Sequence, residues 1–280
     1  MKADPRFLRL PKDFWAHVRS LSQQLGYTSK EQVKVPTLKE TLEGLSKLKL
    51  SSEHVAQNGE ATEFGKNLLA YFEHRARVIN EFVRPRLMDK DRAKKEFEAL
   101  KKRLDPKRPV PMNKQKGDKR APAYMTGMVN MIVEEGVGEC DCDFDPRKLT
   151  TITRKGAPLR TLARRVDGAF PSSINPIAIW EIKEYYYTTT FGSRVADGVY
   201  ETLLDGMELE EILEHEKIDV KHYLIVDDAY TWWTKGKSYL CRILDMVHMG
   251  YVDEVLFGYE VVERLPAIVS EWVAILKKRS

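Results

Sequence analysis

Cysteine is scarce in this chain of 280 residues: Cys140, Cys142 and Cys241 are an odd number, and a Cys-x-Cys pair is poorly placed to close on itself. A disulfide framework is therefore not expected. Without a second cysteine pair at the usual spacing, neither is a zinc site. The six histidines, at 17, 54, 74, 215, 222 and 248, form no metal-ligand spacing. No glycine-rich signature of a phosphate-binding loop or a dinucleotide fold is present. No apolar run approaches the ~20 residues that cross a bilayer. The opening MKADPRFLRLPKDF lacks the apolar stretch of a signal peptide, so a cytoplasmic location is expected.

Charge is abundant and unevenly placed. The whole chain carries a formal +4, yet residues 90–120 hold thirteen Lys or Arg against five Asp or Glu, an excess of eight. One concentrated basic segment suggests a localised polyanion-binding surface, because phosphate contacts supply most sequence-independent affinity. The second half of that tract, residues 105–120, has the composition of a mobile connection. Ahead of it, residues 13–25, 36–50 and 62–82 have helical periodicity. The expected organisation is a helical N-terminal lobe ending in a basic linker (1–120), followed by a second unit (121–280).

Residues 164–183, RRVDGAFPSSINPIAIWEIK, carry the chemistry. Residues 159–166 and 177–182 are rich in apolar and β-branched types, and the segment between them is full of turn formers, which reads as a hairpin. A turn centred near Ile174 makes facing residue numbers sum to about 348, which puts Asp167 opposite Glu181. Alternation then places Glu181 and Lys183 on one face, with Trp180 and Ile182 on the other. Two carboxylates with open positions suit Mg²⁺. The metal polarises a phosphoryl oxygen and stabilises the leaving oxyanion. Lys183 is expected to orient or help deprotonate the attacking water, with a pKa depressed by the metal or by burial. The bland alternative is a solvated strand edge with a cross-strand ion pair.

Asp167 followed by Glu181-Ile182-Lys183 on the next strand resembles the signature of the PD-(D/E)XK nuclease superfamily, with Val166 where the pattern has proline. The resemblance spans residues 121–262 and implies a core of helix, three antiparallel strands, helix and strand. The order read from the residues agrees: a helix over 125–135, a first strand over 149–154 turned back by 155–158, then the hairpin. Val195, Val199, Leu203 and Met207 recur every four residues and give a helix over 193–215, which Gly198 and Gly206 weaken. A strand over 222–227, a helix over 239–249 stopped by Gly250, a strand over 255–262 and a final helix over 266–278 starting at Pro266 complete the chain. Asp227 and Asp228 end a buried strand, from where they either approach the site or cap the turn before Trp232 and Trp233. The expected fold class is α/β with a mixed α+β sheet: a restriction-endonuclease-like α-β-β-β-α-β core with an N-terminal helical lobe.

The resemblance implies that Asp167 and Glu181 bind Mg²⁺, with Mn²⁺ able to substitute, and that Lys183 assists the nucleophile. Many members of the superfamily also use a glutamate on the helix before the first strand, which here points to Glu134 or Glu135. For DNA contact, the segment leaving the motif offers Tyr185, Tyr187, Thr188, Ser193 and Arg194, and the basic tract offers Lys114, Lys116, Lys119 and Arg120. The expected activity is Mg²⁺-dependent double-strand cleavage of DNA by a homodimeric type II restriction endonuclease leaving 5′-phosphate ends, accompanied in its host by a cognate DNA methyltransferase. A structure-specific or defence-associated DNA nuclease, and a non-catalytic DNA-binding protein, are the alternatives.

Overall fold

In a computed structural model of the chain, all residues are described except 30, 116–117, 188–191 and 280; the side chains of 114–120 and of Ser193 also lie outside the described set. Among the described residues no helix is long and apolar enough to cross a membrane.

The N-terminal part contributes helices α1 (Lys12–Leu25), α2 (Leu38–Lys47) and α3 (Glu63–Arg77). Local chemistry fixes two of their starts. Thr37 and Glu40 form a reciprocal capping box on α2, and the Thr62 side chain accepts from Gly65 N on α3. Their apolar faces meet around Phe14, Trp15, Tyr71 and Phe72. Helix α3 then runs into a π-helical turn, Val78–Val83.

The first half of the basic tract, ahead of the 105–120 stretch read as a mobile connection, forms helix α4 (Lys90–Leu104), capped by Asp89. Its charged residues face outward, while Ala93, Phe97 and Leu100 pack on helix α5 (Tyr124–Val137). The basic composition hides an amphipathic stripe with helical period. Strands Met112–Gln115 and Asp118–Pro122 then pair as a hairpin.

Behind α5 lies a five-stranded mixed sheet made of β1 (Asp143–Phe144), β4 (Gly168–Phe170), β5 (Ala178–Lys183), β6 (Lys221–Val226) and β7 (Glu254–Phe257). Strands β2 (Thr151–Arg154) and β3 (Ala157–Thr161) form a hairpin outside it. The sheet order is β7-β6-β5-β4-β1, with β5, β6 and β7 parallel and β4 antiparallel to both its neighbours. Two strand expectations are corrected here. The first strand of the sheet is 143–144 rather than 149–154, and the partner of β5 is 168–170 rather than 159–166. The 149–166 stretch has the same apolar and β-branched pattern, but its strands satisfy each other in a separate hairpin. The facing register does match expectation: Gly168 pairs with Trp180, Ala169 with Ile179 and Phe170 with Ala178.

The parallel strands are joined by helices α6 (Ser193–Glu216) and α7 (Lys237–Met249), and the chain ends in α8 (Glu260–Arg279). The last strand is shorter than expected, because Gly258, at φ 52°, turns the chain into α8 six residues before Pro266. Pro266 therefore lies inside the helix and does not start it. Helices α5 and α8 cover one face of the sheet, where Trp180 stacks on Trp272 with ring centroids 5.4 Å apart. Such a pair adds about 0.5–1.5 kcal/mol beyond its buried area. Gly168 makes room for it, since a Cβ there would meet the Trp180 ring at 1.9 Å. Helices α6 and α7 cover the other face, against Ile179, Leu224, Val226 and Phe257. Odd-numbered residues of β5 look toward α6.

Helix α7 also carries the attachment of the N-terminal helices. Its buried Asp245 accepts from Arg75 Nη1 at 3.2 Å and from the Tyr71 hydroxyl at 2.6 Å, while Arg75 Nη2 reaches Ser22. Removing one partner of so buried a pair costs about 3–5 kcal/mol.

Candidate active site

Strand β5 delivers two ionisable side chains to the α6 face, Glu181 and Lys183, because residues two apart point the same way. Asp167 arrives from the residue before β4. Its backbone N–H continues the ladder to Trp180 O at 3.1 Å, and its Oδ2 accepts from Ile182 N at 2.7 Å. The three residues expected to converge are thus side by side at one end of the β4–β5 pair.

Three further side chains complete the cluster. Lys183 Nζ donates to Glu181 Oε2 at 3.1 Å and to Glu201 Oε2 at 3.0 Å. Arg164 Nη1 donates to Glu181 Oε1 at 2.9 Å and to Asp205 Oδ2 at 2.5 Å, and its Nη2 reaches Glu181 Oε2 at 3.2 Å and Glu201 Oε2 at 3.4 Å. Glu201 and Asp205 are one turn apart on α6, so the helix lays both against the face that β5 presents. Their spacing was visible in the sequence. What pointed away from them was the four-residue run Val195, Val199, Leu203 and Met207, whose period exceeds the 3.6 residues of a turn. The run drifts off the buried face, and Met207 ends half exposed while Thr202, Asp205 and Gly206 lie beneath the helix.

Glycine supplies the remaining clearance. A Cβ on Gly198 would lie 3.1 Å from Lys183 Cδ and from the Tyr185 hydroxyl, and one on Gly206 would lie 2.4 Å from Tyr251 O. These glycines, expected only to weaken α6, let it approach the sheet.

Two cations face four carboxyl groups, and the electrostatics follow. Burial alone would raise the Glu181 pKa, but Lys183 and Arg164 outweigh it and hold the carboxylate below its ordinary range. Burial alone would lower the Lys183 pKa, but Glu181 and Glu201 outweigh it, so the ammonium is held charged. The expected depression of that pKa is reversed by these partners. Asp205 is pushed up to about 7 by burial first and by Glu181, against Arg164; its Oδ1 is buried without a hydrogen-bond partner. Asp167 is also raised to about 7, by loss of solvent around the carboxyl first and by Glu181 second. The residue is nevertheless exposed, so solvent trims the shift without reversing it.

The donor set fits a hard divalent cation in chemistry: carboxylate oxygens, with four carboxyl groups against two cations and Asp167 open to solvent. With Arg164 in place the carboxylates are arranged around a guanidinium, and among the described residues no group of three or more His, Cys, Asp or Glu converges on a metal position.

Other expected site residues lie elsewhere. Glu134 and Glu135 are near the far end of α5, lining a recess with Leu104, Pro106 and Lys107. The end of α5 near β5 is its beginning, where Thr126 donates to Glu184 at 2.8 Å and 3.0 Å. Counting back to the first strand located the helix but not which of its ends meets the site. Tyr185 is half-buried, with its ring 5.6 Å from Trp232 and its hydroxyl on Arg194 O at 3.0 Å. Tyr187 donates to Pro122 O and lies under Lys90. Arg194 is exposed. Lys116 and Thr188 lie outside the described residues, as do the side chains of Lys114, Lys119, Arg120 and Ser193.

The chain belongs to the family defined by a domain of unknown function, DUF7687, whose model matches residues 88–272. Residues 1–82 match a second domain of unknown function, DUF7690. No curated protein and no solved structure matches the chain.

Proposed function

We propose that this chain is a metal-dependent DNA endonuclease with a core of the PD-(D/E)XK type. One observation carries the reading: Asp167, Glu181 and Lys183, the residues of the signature, occupy adjoining positions at one end of an antiparallel strand pair whose second strand runs parallel to β6. The order of helix, three antiparallel sheet strands, helix and parallel strand also supports it.

Asp167 and Glu181 would hold Mg²⁺, or Mn²⁺ in its place, which when bound polarises a phosphoryl oxygen. Lys183, kept protonated by Glu181 and Glu201, offsets charge on the pentacovalent phosphate and orients the attacking water. Glu201 fixes the lysine by a direct hydrogen bond, and Arg164 holds Glu181 from the other side. For the cation to reach Glu181, Arg164 must release part of its hold.

Sequence-specific cleavage of both strands by a type II restriction endonuclease is the reading we favour, with a two-fold homodimer placing one site on each strand of a palindrome and a partner DNA methyltransferase protecting the host. Sequencing the ends left on unmodified phage DNA tests it. One short motif at every end, with 5′-phosphates, supports restriction; scattered ends, or cleavage only at branched or single-stranded substrates, move the assignment to a structure-specific or defence-associated nuclease. A non-catalytic reading draws on the same contacts, since both cations are already paired. It requires Mg²⁺ to change neither the stability of the chain nor any DNA substrate.

A further inference from the structure

We propose that the rim beyond the C-terminal ends of the parallel strands, built by residues 229–237 and Arg84, is the surface on which duplex DNA lays its phosphodiester backbone. The inference rests on the nuclease reading for the identity of the polyanion, and locates where that substrate is held.

The rim is fixed to the site by one buried carboxylate. Asp227, directly after β6, accepts from the Tyr185 backbone N–H and from the Trp232 indole at 3.2 Å. Lys183 lies two residues before Tyr185 and pairs across the sheet with Val226. The exit of the lysine strand and the start of the rim are therefore held together. Asp228 caps the π-helical segment Ala229–Lys235, accepting from Thr231 N at 2.8 Å. Trp232 is buried under this segment, and Trp233 is half-buried against the same core.

Positive charge gathers around the Trp233 ring. The Arg84 guanidinium lies 4.9 Å and Lys237 Nζ 4.6 Å from the Trp233 centroid; Lys235 Nζ lies 5.7 Å from that of Tyr230, which is 47% exposed. Arg84 comes from the segment after α3, which is joined to this rim by a parallel bridge between Met88 and Asp228. Among the described residues none of Arg84, Lys235 and Lys237 is in an ion pair with a carboxylate, in contrast to Arg164 and Lys183. Glu31 is the acid nearest in effect to Lys237, and it opposes the lowering of the lysine pKa that burial and Arg84 produce. Cations held on aromatic faces lose little freedom on meeting a phosphate, and lacking carboxylate partners they need give up no ion pair to do so.

The test is fluorescence anisotropy of a short labelled DNA duplex with the full chain in EDTA, which separates binding from cleavage. Arg84→Glu combined with Lys237→Glu is compared with wild type and with Lys155→Glu, a control on the β2–β3 turn at the other end of β5. The expected result is a loss of at least about tenfold in affinity for the double variant, with the slope of log K against log salt smaller by about 2, and no change in the control. Arg84→Gln with Lys237→Gln, which adds no negative charge, should give a smaller loss in the same direction, and thermal melts verify folding of each variant. Affinity and salt slope equal to wild type in both double variants, or no DNA binding by wild type, would overturn the proposal. Cleavage by wild type in Mg²⁺ alongside unchanged binding by the variants would remove this surface and leave the nuclease reading standing. The reverse, lost binding by the variants of a protein that never cleaves, would keep the surface and remove the chemistry.

Discussion

Arg164 is the residue on which the behaviour of the site turns. It contacts Glu181, Glu201 and Asp205 at once, and so occupies the place where a cation would relieve their repulsion. Arg164→Ala should lower stability in EDTA by about 3 kcal/mol, the scale for uncovering buried carboxylates. Mg²⁺ should then restore more of the melting temperature in the variant than it adds to wild type. Equal Mg²⁺ shifts in the two melts would show that the cation does not bind among these carboxylates. Asp205 gives a pH test with a definite sign. Its pKa is raised in the folded chain, from an ordinary 3.8 to about 7, so the folded state takes up a proton between those values that the unfolded chain has released. That group's contribution to stability therefore falls as pH rises from about 4 through 7. Asp205→Asn should melt higher than wild type at pH 8 in EDTA, with the difference fading toward pH 4; a constant difference across that range would contradict the shift. Glu181, with its lowered pKa, acts in the opposite sense, and its contribution is lost as pH falls below the ordinary carboxylate range.

At the scale of elements, α6 and β5 approach as closely as they do because Gly198 has no side chain. Gly198→Ala sets two effects against each other. Alanine favours a helix interior by up to about 1 kcal/mol, while its Cβ presses on the Lys183 stem and the Tyr185 hydroxyl. We expect a melting temperature equal to wild type or higher together with reduced DNA cleavage; unchanged cleavage would show that the lysine has room to spare. The same pairing shows what could be read without coordinates. The β4–β5 register followed from the turn formers between residues 170 and 176, since a hairpin fixes its own register locally, and with it the proximity of Asp167 to Glu181. The identity of the sheet strands did not follow. Residues 151–154 and 157–161 have strand character but meet only each other, and short strand character is blind to which partner wins. The roles of Arg164, Glu201 and Asp205 did not follow from spacing for a related reason: they depend on the rotation of α6 against the sheet, a tertiary quantity. Glycines 198 and 206 read as weakening a helix in the sequence, and in the fold each marks a close approach.

On the scale of the whole molecule, the two family models divide the chain near residues 82–88, but the packing crosses that line. Arg75 and Tyr71 of the first part bind Asp245 of the second, and Arg84, from the segment between the two models, stands over Trp233. The N-terminal helices are thus tied to α7, whose first residue, Lys237, belongs to the rim. Whatever the rim holds is linked through these elements to the lysine strand.

Digestion of unmodified phage DNA by the purified chain in Mg²⁺, with Lys183→Ala alongside, tests the central claim most directly. Wild type should cut the DNA in Mg²⁺ and leave it intact in EDTA, and Lys183→Ala, folded by its melt, should leave it intact in both. Cleavage surviving the loss of Lys183 would contradict the assignment of the site, and intact phage, branched and single-stranded DNA with wild type would contradict the nuclease reading itself.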